Sequence, residues 1–154
     1  MNKKLIGGII AGALSVMLII YFLAPSIMIN ENVSKFGFDE TVEKLVEAAN
    51  KKGWKVPTTH QLDKSVAKAG YDVLQTTVIE LCHPGHAGKI LSNDDDKVVT
   101  SMMPCRFSVY KNSNGEVIVS RMNTGLISKL FGGNVSDVMA EATNDTEEIL
   151  SVVL

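Results

Sequence analysis

Positions 5–29 (LIGGIIAGALSVMLIIYFLAPSIMI) run for twenty-five residues without a charged side chain, and behind them the pattern changes to short helical and alternating periodicities. A helix of about 20 mostly apolar residues can cross a hydrocarbon core, because it satisfies its own N–H and C=O groups where no water can. The run predicts a single transmembrane helix. It divides the chain into an anchor, 1–29, and an external domain, 30–154. Lys3, Lys4 and the terminal amine precede it, so the positive-inside bias puts the N-terminus in the cytoplasm. In a bacterium, the main domain then stands in the periplasm, tethered to the inner membrane as a signal-anchor protein. A cleaved signal peptide is the competing reading. Against it, the run exceeds the usual ~7–15-residue apolar region, and the best small-residue site, Ala24, is followed by Pro25. Gly8 and Gly12, four apart and close to Gly7, match a helix-packing seam.

Beyond the anchor, an extended piece over 27–36 leads to an amphipathic helix in which Val42, Leu45, Val46 and Ala49 recur at helical spacing. Asp39 and Glu40 suit its first turn, Lys51 its last, and Gly53 its end. Residues 54–59 read as a short strand that Pro57 confines to an edge or a strand end. A short helix over 63–69, closed by Gly70, precedes the β-branched strand 76–82, which stops at His83-Pro84-Gly85. A helix restarts at 86–91 before the acidic turn Asn93-Asp94-Asp95-Asp96. Residues 106–110 and 116–121 form a hairpin, because Asn112-Ser113-Asn114-Gly115 tolerates positive φ. From Thr124 the chain reads as helical, with Asn144 and Glu147 spaced as a capping pair for a last helix rich in apolar residues. Helices alternating irregularly with a hairpin predict an α+β class with a largely antiparallel sheet backed by helices.

Charge narrows the function classes. Setting Lys3 and Lys4 aside leaves 13 basic against 17 acidic residues, a formal charge of −4 for the external domain. A nucleic-acid partner calls for a clustered basic surface, which is absent. Serines 101, 108 and 120 lack a nucleophile-elbow context, and neither a P-loop nor a dinucleotide fingerprint occurs. The chain is therefore expected not to be an enzyme.

The order and spacing of several motifs resemble the domain-of-unknown-function family 302 over about 32–123. They are Glu40-Thr41-Val42 with Leu45 and Gly53, Leu62-Asp63 with Ala67 and Gly70, a proline at the end of a strand, Pro104 leading into Arg106-Phe107-Ser108-Val109-Tyr110, and the Asn114-Gly115 turn. The resemblance implies a compact α+β domain, often a homodimer, and no established reaction.

Four of the five cysteine and histidine residues fall in two patches, Cys82-His83-Pro84-Gly85-His86 and Met102-Met103-Pro104-Cys105. Three readings stay open. Cys82, His83, His86, Met103 and Cys105 can be ligands to a soft metal such as copper, or to a non-covalently held haem. Cys82 and Cys105 can instead form a disulfide across some twenty residues, natural in an oxidising compartment. Strand alternation weakens that pair slightly, since Ile79 and Leu81 look core-facing and leave Cys82 on the other face, whereas Cys105 shares parity with Phe107 and Val109; Pro84 and Pro104 can re-aim both ends, so parity does not exclude it. Or all five are inert, with Met102, Met103 and Met122 as core filler.

Two functional expectations follow. One is a membrane-anchored periplasmic domain that holds a soft metal or haem for a redox or metal-handling role. The other is a non-catalytic accessory subunit, packed against a second copy or a larger membrane complex through the Gly-rich helix face and the apolar C-terminal tail.

Overall fold

The computed structural model describes residues 3–154, leaving aside the side chains of residues 3–6 and 11. Helix α1, Lys3–Met28, contains the apolar stretch Gly7–Met28, whose mean hydropathy is 2.2 and no part of which is buried. It is long and apolar enough to cross a membrane. It passes directly into strand β1, Ile29–Val33.

The domain then follows the order helix α2 (Phe38–Lys51), β2 (Thr59–Gln61), α3 (Leu62–Ala67), β3 (Thr76–Leu81), α4 (Pro84–Leu91), a 3-10 helix (Asp94–Met102), β4 (Cys105–Lys111), β5 (Val117–Met122), α5 (Thr124–Ile127), a 3-10 turn (Ser128–Leu130) and α6 (Gly133–Ser151). All five strands join one antiparallel sheet in the order β1-β5-β4-β3-β2. The α+β expectation holds. Period-two alternation explains which face is covered: Thr77, Ile79 and Leu81 of β3 are buried while Thr76, Val78 and Glu80 are only half-buried. The covered face packs on α2 and α6 around Leu45, Ala49, Trp54, Phe107, Val119 and Leu150. A second, smaller core lies between α4, the long 3-10 helix and α6, and gathers Ile90, Val99, Val135, Val138 and Met139, with Met102 and Met103 against it.

Four local expectations need correction. The strand expected over 54–59 begins only at Thr59, because the chain after Gly53 (φ 79°) spends residues 54–58 crossing to the sheet edge, where Lys55 makes a single bridge to Cys82. Helix α4 starts at Pro84, two residues before the expected His86, since proline suits the first helical position and the His83 ring accepts a hydrogen bond from the His86 N–H (3.3 Å). The acidic run is not a free turn but the start of the long 3-10 helix, capped by the Asn93 side chain, which accepts from the Asp95 N–H. Asn144 caps nothing: the buried series Val138, Met139, Ala142, Thr146 and Ile149 continues through it at helical spacing, so α6 is unbroken.

Candidate functional site

The two soft patches meet. Cys82, His83 and His86 at the β3–α4 junction and Met103 and Cys105 before and in β4 all line one apolar cavity of about 30 Å³, with Trp54 closing a side. Antiparallel pairing brings this about, because Leu81 stands opposite Cys105 and so places both strand ends together. The alternation argument against Cys82 and Cys105 sharing a space fails for a physical reason. Cys82 continues the extended backbone one residue past Leu81 and exchanges both backbone hydrogen bonds with Lys55, yet the paired strand ends border the same cavity and Pro84 turns the chain into α4 directly afterwards.

Both cysteines are half-buried free thiols. Burial, first, and negative charge on Cys82, second, push the Cys105 thiol above its ordinary value. Two thiolates here would repel one another in a poorly hydrated space, so a bound cation or a covalent bond between them is what would relieve the pair. Met103 packs partly buried against the second core as well as lining the cavity, so its filler role and its ligand role are compatible. Met122 is exposed and lies outside this cavity.

The histidines have additional neighbours that sequence reasoning missed. Helix α6 presents Glu141 and Asp145, one turn apart, toward α4. His86 Nε2 lies 3.0 Å from Asp145 Oδ2, and Trp54 Nε1–H donates to the same oxygen at 3.2 Å. Lys52, also paired with Glu148, approaches the other Asp145 oxygen at 3.7 Å. The bond to a carboxylate places the neutral imidazole's proton on Nε2 and its lone pair on Nδ1. That Nδ1 is buried without a hydrogen-bond partner among the described residues, with Glu141 Oε2 3.5 Å away but not bonded to it. His83, His86 and Trp54 form a ring cluster, with centroids 4.4 Å apart for the histidines and 5.6 Å from Trp54 to each. The one signal available in the sequence was the i, i+4 spacing of Glu141 and Asp145.

Burial pushes the Asp145 carboxyl up, but the hydrogen bonds from His86 and Trp54 and the charge of Lys52 outweigh it and hold the group below its ordinary value. A depressed carboxyl pKa contributes stability that is fully present above the unfolded value, near 4, and is lost as pH falls through the folded value. Asp145→Asn is therefore expected to cost about 1–2 kcal/mol at neutral pH, from weakened bonds to His86 and Trp54. The deficit should close below about pH 4. Denaturant midpoints of both proteins between pH 7 and pH 3 measure this; a gap that persists unchanged into acid refutes the role given to the carboxylate.

The fit to cofactors differs by group. A haem requires a pocket of several hundred Å³, since ligand pockets run roughly 300–1,000 Å³, and the residues here enclose about a tenth of that minimum. Haem does not fit. Among the described residues, no three His, Cys, Asp or Glu side chains converge at metal-ligand spacing, so a cage of the kind zinc uses is not preformed. Two thiols and a thioether around a small apolar space are instead the donor set that soft copper(I) selects.

Comparison with known proteins places this geometry in a family without assigning it a reaction. A solved structure, that of an uncharacterised conserved DUF302 protein from Bacillus stearothermophilus, superposes with a TM-score of 0.74 at 19% identity, covering 82% of this chain and 98% of the other. That likeness extends to the fold. No curated protein matches the chain. The family profile described as Domain of unknown function DUF302 matches residues 29–153, which extends the resemblance read over 32–123 through α6. Spanning β1 to the end of the domain, that match shows that the chain belongs to the DUF302 family.

Proposed function

We propose that this protein is a non-enzymatic, membrane-anchored domain that binds a soft monovalent metal ion, copper(I) by chemistry, between Cys82 and Cys105 with Met103 as a third donor. The observation that carries the reading is the convergence of both soft patches, far apart in sequence, on a single ion-sized apolar cavity. Such a cavity favours polarisable sulfur over hard oxygen donors and excludes a large cofactor. His86, whose Nδ1 lone pair is unpartnered, stands at the same cavity as a reserve ligand. Helix α1 holds the domain at the outer face of a bacterial inner membrane with its amino end in the cytoplasm, as the basic start followed by an uncharged span supports.

Anaerobic titration of the reduced full chain with copper(I) against a competing chelator is expected to give one ion per chain. The complex should be lost in Cys82→Ser and Cys105→Ser and weakened in Met103→Leu, with folding checked by circular dichroism. Protein that is isolated without free thiols and takes up no copper after reduction would make the pair a structural disulfide instead.

A second reading, the accessory subunit, draws on α1 alone: Gly8 and Gly12 have open space where a side chain would stand. Within the C-terminal tail, Ile149, Leu150 and Val153 are core residues with at most 1% exposure, which leaves Val152 as its exposed apolar side chain. Gly8→Leu with Gly12→Leu, made to disrupt partner capture while leaving copper binding intact, separates the two.

A further inference from the structure

Between Met122 and Ser136 the chain holds one charged side chain, Lys129, and no acidic one. Within this stretch, α5 and the 3-10 turn behind it leave Leu126, Leu130 and Phe131 exposed, and Leu130, at 85%, is the most exposed large apolar side chain among the described residues. We infer that residues 124–131 are a second membrane contact, which lies in the headgroup region of the bilayer beside the exit of α1 and seats the domain on the lipid surface.

Position in the fold carries the inference. Asn123 donates its backbone N–H to the Met28 carbonyl (2.8 Å) and its side-chain N–H to the Ile27 carbonyl (3.0 Å), which fastens the start of the segment to the last turn of α1. Helix α5 itself packs against α1. At a rise of about 1.5 Å per residue, the 22 residues of Gly7–Met28 extend about 33 Å, against a hydrocarbon core about 30 Å thick. Ile27 and Met28 therefore stand where α1 leaves the core, and what is hydrogen-bonded to them stands at the level of the headgroups. This depth follows from the membrane-anchored reading above, on which the inference rests.

The segment is held in shape from its inner side. The Thr124 hydroxyl lies 2.9 Å from that of Thr143 on α6, and Gly125 approaches Thr143 so closely that a Cβ would stand 3.3 Å from its methyl carbon. Ser128, 1% exposed, donates to the Gly125 carbonyl at 3.3 Å. Leu126 and Leu130, four apart through right-handed turns, are left on the side away from Ser128. Apolar side chains without an acidic neighbour in the segment suit a surface whose apolar layer begins beneath phosphates. Lys129 forms no ion pair among the described residues, so its ammonium is free for a lipid phosphate while its methylene stem lies along the apolar layer. Ile29, Met122, Cys105 and Leu81 all lie at one end of the sheet, so seating 124–131 holds the Cys82–Cys105 cavity close to the membrane.

The test uses the full chain in nanodiscs of phosphatidylcholine brominated either high or low on its acyl chains, with a tryptophan introduced as Leu130→Trp or, within α1, as Met17→Trp. Wild-type emission, from the buried Trp54, is the blank. Leu130→Trp should lose most of its added emission to the high bromines and little to the low ones, and Met17→Trp the reverse. Adding Leu126→Asp and Phe131→Asp, both at exposed positions, should abolish the quenching of Leu130→Trp. Quenching that survives both aspartates overturns the inference. So does an unquenched Leu130→Trp beside a quenched Met17→Trp, and a blue shift without quenching then identifies protein, a second copy included, as what covers the segment. An unquenched Met17→Trp overturns the anchoring reading, and this inference with it.

Discussion

Trp54→Ala is expected to destabilise the domain by about 3–5 kcal/mol, the range for truncating a buried tryptophan, out of a total that is typically about 5–15 kcal/mol. Trp54 is 2% exposed and sits in the main core, against α2 and α6, so its removal loses transfer free energy and leaves a space that closed surroundings cannot fill. It also withdraws the N–H from Asp145 and the ring from His83 and His86, so the small cavity loses its side wall. Trp54→Phe separates the two contributions. It keeps most of the apolar mass and removes the hydrogen bond, for an expected cost of about 1–2 kcal/mol. Denaturant unfolding of the three proteins followed by circular dichroism measures the series, since Trp54 is the sole tryptophan and fluorescence vanishes with it. Equal costs for the two variants would mean that the indole N–H, and not packing, holds this corner.

Local chemistry explains which parts of this fold could be read from the sequence. Helix α2, β3 and the β4–β5 hairpin each carry their own instruction: a helical stripe ended by a positive-φ glycine at Gly53, a β-branched run, and an Asn-Gly turn with Gly115 at φ 83°. Elements whose limits are set by distant partners could not be read in the same way. The long 3-10 helix is held by Asn134 of α6, whose side-chain N–H donates to Asp96 at 2.6 Å, and α6 runs unbroken because its buried stripe meets both cores. At the site, residue types were legible but company was not. Cys82, His83, His86 and Cys105 stood out by their scarcity and Met103 by its place beside Cys105, whereas Asp145, Trp54 and Lys52 join the histidines only through tertiary contact. Parity did not keep Cys82 and Cys105 apart, because the pairing of Leu81 with Cys105 sets the two strand ends side by side on one cavity.

Phe107→Ala is expected to cost about 3 kcal/mol, at the low end of the range that contains Trp54→Ala. The two rings are equally hidden, each at 2% exposure, so burial alone would rank the effects by size and nothing else. Their surroundings differ. Trp54 borders an enclosed space of about 30 Å³, whereas Phe107 borders an open cavity of about 500 Å³ at the sheet end. Truncating Phe107 enlarges a space that Arg121 and Glu147 also line, so water can be expected to fill part of the deficit. Phe107 lies directly opposite Ile79 in β3 and Arg121 in β5, and the backbone ladder on both sides persists without its side chain. Denaturant midpoints for Phe107→Ala, Phe107→Leu and Trp54→Ala in one buffer give the comparison. A Phe107→Ala cost equal to or above that of Trp54→Ala would show that the space beside Phe107 does not relax on truncation.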